Sequence, residues 1–156
     1  MKRPGLFLLF FVFSLMCFSQ ENGFRWQQEV DYKMVIDVDV ENHTYKGTQS
    51  LVFTNNSPDD LDRVFYHLYF NAFKPATDLE QNSRYSSDDS RSMSKKLLSM
   101  SKEDWGDVQI KWLLQDGKPV SFKIEETILE VSLDKPIRSG ESSVLEMEFF
   151  IQTPAM

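Results

Sequence analysis

The chain has 156 residues, 41% of them hydrophobic and 26% charged, with a formal net charge of −7. This composition fits a folded globular domain and not a disordered tail. The acidic balance lacks the basic footprint that neutralises phosphates, which excludes a duplex-binding protein. The single cysteine, Cys17, lies near the start, so a disulfide framework and a cysteine-based metal site are excluded for the remainder.

The first residues have the layout of a secretory signal peptide. Lys2 and Arg3 form a positive start, Leu6 to Phe13 is an unbroken apolar run, and Leu15 to Phe18 continues it. Cys17 and Ser19 are small residues at the −3 and −1 positions of a cut before Gln20. A lipid-bearing Cys17 would call for a small residue before it, and Met16 stands there, so simple cleavage is favoured. The apolar run is too short to span a bilayer comfortably. The expected division is a signal peptide over 1–19 and one β domain over 20–156, in an exported protein that is periplasmic, on the cell surface or extracellular. No transmembrane segment is expected in the mature chain.

Alternation begins at Val30. Val30, Tyr32, Met34, Ile36, Val38 and Val40 share one face, and Asp31, Lys33, Asp37 and Asp39 the other, which predicts a half-buried strand. Glu41-Asn42-His43 is a turn. Tyr45 to Thr54 is a second strand, with Tyr45, Gly47, Gln49, Leu51 and Phe53 together. Asn55 to Asp60 is a turn signal. Arg63 to Phe70 is nearly continuous in apolar and aromatic residues, which predicts a central strand buried on both faces and a three-strand antiparallel meander.

Lys74 to Asp104 is crowded with serine and charge, and reads as a long surface excursion with one helical turn over Lys95 to Met100. Strand character returns with Val108, Ile110, Trp112 and Leu114, expected on one inner face. Asp116-Gly117 is a tight hairpin turn. Val120, Phe122 and Ile124 form the returning strand, Thr127 to Leu133 another, and Asp134 to Gly140 a loop. Ser143 to Gln152 is the last strand, with Leu145, Met147, Phe149 and Ile151 on one face. The sequence stops without a closing element, and the domain is expected to be incomplete at that end. The fold class is mainly all-β, a twisted antiparallel sheet or sandwich with a long polar loop excursion.

Catalytic chemistry finds little to use. Zinc catalysis needs about three protein ligands, and the two histidines, His43 and His67, fall on a turn and a strand with no H-E-x-x-H helix. His67 reads as a packed strand histidine with a hydrogen-bonded ring, and His43 as a solvated turn residue. There is no G-x-S-x-G elbow, no G-x-G-x-x-G and no phosphate loop. Asp37 with Asp39, and Glu146 with Glu148, are spaced as polar strand faces. Asn42-His43-Thr44 and Asn55-Asn56-Ser57 are glycosylation sequons that mark surface turns. Of the tryptophans Trp26, Trp105 and Trp112, which are candidates for a carbohydrate or peptide groove, Trp112 is expected in the core and Trp105 at the surface. No catalytic, cofactor-binding or metal-ligating residue is assigned.

Three runs resemble a known family. Tyr32-Lys33-Met34-Val35-Ile36-Asp37-Val38-Asp39, then Tyr45-Lys46-Gly47-Thr48-Gln49, then Tyr66-His67-Leu68-Tyr69-Phe70-Asn71-Ala72-Phe73 resemble the amino-terminal domain of the aminopeptidase N family of zinc metallopeptidases. Gln115-Asp116-Gly117-Lys118-Pro119, and Gly140 leading to Glu146-Met147-Glu148-Phe149, are similar to it as well. The resemblance implies the saddle-type β domain of that family, non-catalytic here. It implies a downstream catalytic peptidase domain as partner, zinc held in that domain and none in this segment, and peptide substrates for the parent enzyme. The family takes a substrate-contacting glutamine from late in this domain, and Gln152 falls too early in the pattern to inherit that role. The alternative is a free-standing exported β-sandwich module that binds peptide, glycan or a protein partner.

Overall fold

The computed structural model describes residues 26–85 and 88–155. The expected signal peptide, Cys17 and the cut before Gln20 lie outside the described residues. Two antiparallel sheets face each other. The first contains β1 (Glu29–Asp39), β2 (Thr44–Thr54), β4 (Asp107–Gln115), β5 (Lys118–Pro119) and β8 (Ser142–Gln152), in the order β1-β2-β8-β4-β5. The second contains β3 (Leu61–His67), β6 (Ser121–Glu125) and β7 (Ile128–Ile137), in the order β3-β7-β6. The antiparallel sandwich expected from the alternation is therefore present.

Period-two patterning supplies the core. Leu51, Leu113, Leu145, Met147 and Phe149 from the first sheet meet Val64, Leu129 and Val131 from the second, all buried. Each fully covered leucine contributes roughly 2 kcal/mol of transfer free energy. The strand pairing places Met34, Gln49, Met147 and Leu113 in one row across the first sheet, and Ile36, Gly47, Phe149 and Ile110 in the next. A Cβ on Gly47 would stand 2.4 Å from the Val35 carbonyl oxygen and 3.1 Å from Phe149 Cζ, so only glycine lets β1 lie this close.

Local chemistry sets the connections. The Asp39 carboxylate accepts from the Asn42 backbone N–H at 3.0 Å and the Asn42 amide at 2.7 Å, and His43 takes φ 52° to close the β1–β2 turn. Asp116 and Gly117 both have positive φ, 48° and 79°, which matches the strand twist across the β4–β5 hairpin as expected. Leu129 and Val131 point inward from β7 and Leu145, Met147 and Phe149 from β8, as their spacing predicts.

Five expectations are corrected. The stretch from Arg63 to Phe70 is not a central strand of a meander. β3 ends at His67, pairs only with β7 at the edge of the second sheet, and leaves Phe65 58% exposed. The reason lies at Asn55, which is fully buried. Its amide donates to the carbonyls of Asp59 at 2.7 Å and Ile137 at 2.9 Å. Its side-chain oxygen accepts from the Ser57 N–H, the Ser57 hydroxyl and the Gln28 amide. That knot carries the chain across to the other sheet, so β3 cannot return beside β2. The second sequon is thus a buried crossover and not a surface turn.

The polar excursion is helical. α1 (Asp78–Arg84) and α2 (Asp88–Ser99) pack on each other, followed by a 3-10 turn over Lys102–Asp104. A helix satisfies its own backbone and needs no apolar strand face. The polar side chains serve each other instead. Glu80 is fully covered, accepts from Arg84 at 2.7 Å and from the Ser94 hydroxyl at 2.6 Å, and Leu97 is buried in the same pair.

Trp112 is not in the core. A bulge between Ile110 and Trp112 shifts the alternation, so Leu113 and Gln115 turn inward and Trp112 turns out, where its indole N–H donates to Glu148 at 2.7 Å. β1 is not half-buried: every residue along it is exposed, Tyr32 at 56%. The first sheet is wider than the second, and β1 overhangs it with its apolar row uncovered. In smaller differences, β7 runs on to Ile137 where a loop was expected, and Trp105 is half-buried, its N–H donating to the Met100 carbonyl at 3.3 Å.

Candidate binding cleft

The overhang of β1 opens a cleft of about 480 Å³ along the side of the sandwich. Its floor is the first sheet, through Gln49, Met147 and Phe149. One wall is the inner row of β1, Tyr32, Met34 and Ile36. The other is the edge of the second sheet and the turn after it, with Phe65, Tyr66 and Tyr69. The cleft exists because the chain crosses sheets at Asn55 and leaves the second sheet at Leu68. There the 3-10 turn Tyr69–Ala72 is held by Asn71, whose amide donates to the Glu126 carbonyl at 2.9 Å and whose oxygen accepts from the Val108 N–H at 2.8 Å.

Two polar side chains of this lining, their polar atoms covered from solvent, have no hydrogen-bond partner. Gln49 is 8% exposed and its side-chain nitrogen has no acceptor; the Tyr66 hydroxyl is buried and equally unpaired. Burial pushes the Tyr66 phenol far above its ordinary range, so it stays a neutral donor. Tyr45, beneath β1, is raised by burial too, and its ring meets Phe70 and Phe149 edge-on.

The other sequence candidates do not converge. His67 is exposed at the cleft mouth with its ring centroid 4.0 Å from that of Tyr69 and tilted 38° to it, and is not the packed histidine expected. His43 sits in the β1–β2 turn, exposed as expected, and its carbonyl accepts from Thr153. Asp37 pairs with Lys46 at 3.5 Å and Asp39 is a turn acceptor, which is the behaviour of a solvated face. Glu148 is engaged by Trp112. Gln152 lies apart from the cleft, beside Trp105, Lys74 and Asp107. Burial raises the Asp107 carboxyl, and the hydrogen bonds from Lys74 and Gln109 outweigh it, leaving the group below its ordinary value. Among the described residues no group of three or more His, Cys, Asp or Glu stands close enough to hold a metal. Sequence reasoning missed the cleft; the one signal for it was Gln49, a polar residue in an otherwise apolar inward row.

The fold and its cleft define an all-β, two-sheet domain with a helical hairpin inserted between β3 and β4. No family model and no curated protein sequence matches the chain. Solved structures do. A mutant of the M1 zinc metallopeptidase from Deinococcus radiodurans superposes with a TM-score of 0.50 at 16% identity, over 83% of this chain and 21% of that one. A two-domain M1 zinc metallopeptidase mutant bound to L-arginine gives a TM-score of 0.51 at 16% identity, over 84% and 22%. The chain thus has the fold of one region of M1 zinc metallopeptidases, the aminopeptidase N family, consistent with their amino-terminal domain, and spans about a fifth of the length of those proteins.

Proposed function

We propose that this chain is the non-catalytic amino-terminal domain of an exported zinc aminopeptidase, where it packs on the catalytic domain and helps shape the substrate cleft. The fold correspondence with a fifth of an M1 metallopeptidase carries the reading. Two further features support it. The overhanging row of β1 leaves Tyr32, Met34 and Ile36 uncovered, as expected of a surface that another unit normally covers. The Lys2-Arg3 start and the apolar run from Leu6 support export with a cut before Gln20. Zinc and peptide substrates belong, in this reading, to the catalytic domain.

The coding sequence beyond Met156 tests it directly. An H-E-x-x-H motif in frame downstream is the expected finding, and a stop codon there shifts the assignment to a free-standing exported binding module. Light scattering adds a protein-level arm. The chain alone is expected to self-associate and the longer protein to be monodisperse; a chain that stays monomeric at high concentration and binds no hydrophobic dye overturns the covered-surface argument. N-terminal sequencing of the exported product, expected to begin at Gln20, tests the targeting claim.

A further inference from the structure

We draw no further inference here: the strongest candidate, the apolar cleft between the overhanging row of β1 and the edge of the second sheet, carries nothing more because nothing in the structure shows what covers it.

Discussion

Replacing Asn55 by alanine isolates the interaction that decides how the two sheets are connected. The side chain makes five hydrogen bonds: to the carbonyls of Asp59 and Ile137, and from the Ser57 N–H, the Ser57 hydroxyl and the Gln28 amide. Two of these partners have recourse. The Ser57 hydroxyl keeps the Asp59 carbonyl at 3.0 Å, and Gln28 sits in a partly open position from which water can replace Asn55. The carbonyl of Ile137 and the N–H of Ser57 have none, and the Asp59 carbonyl is half served. At about 1 kcal/mol for each bond lost without replacement, the expected destabilisation is about 3 kcal/mol. For a domain of this size that is a fall in Tm of about 10 °C, read by calorimetry or circular dichroism. Asn55→Asp keeps the volume and the acceptor but aims a carboxylate at two carbonyl oxygens, and is expected to be at least as damaging. Asn56→Ala, which loses only an exposed bond to the Gln27 carbonyl, is expected to cost less than about 1 kcal/mol and serves as the control. A Tm for Asn55→Ala within 2 °C of the parent, a tolerance of roughly 0.5 kcal/mol, would refute the argument that this residue ties the sheets. The same burial predicts that, in a glycosylating host, the folded chain carries a glycan at Asn42 and none at Asn55, which intact mass measurement checks.

The remaining predictions concern β1, the helical pair and the bulge. Gly47→Ala drives a methyl onto the Val35 carbonyl oxygen and is expected to destabilise by about 2 kcal/mol while raising hydrogen exchange along β1; exchange confined to other strands would count against it. The Glu80 carboxyl is held down to about 2, first by its hydrogen bonds from Arg84 and then by that from Ser94. Because its folded value lies below the unfolded one, the stabilisation is complete above the ordinary carboxylate range and is lost as pH falls from there toward 2. Helical circular dichroism of the parent is therefore expected to decline across that window, and in Glu80→Gln to lose the dependence. Trp112, turned outward by the bulge and 37% exposed, is expected to be quenched by acrylamide, and Trp112→Ala to lower Tm by less than loss of a core tryptophan would; a drop of that full size would place the ring inside after all.

Period-two alternation with β-branched and aromatic residues made the strands, the Asp116-Gly117 hairpin and the inward rows of β2, β7 and β8 readable from the sequence, because a strand's two faces are set by its own residues. Faces that depend on a neighbour were not readable. The β4 bulge moved Trp112 outward, which its own alternation does not reveal. β3 reads as a buried strand but lies at an edge, because Asn55 redirects the chain. The serine-rich stretch is helical, and Glu80 is satisfied by Arg84 one turn on and by Ser94 of the next helix. The cleft was not legible, because it arises where one sheet is wider than the other: sequence alternation says which side of β1 is apolar, and only the tertiary packing decides that none of the described residues covers it.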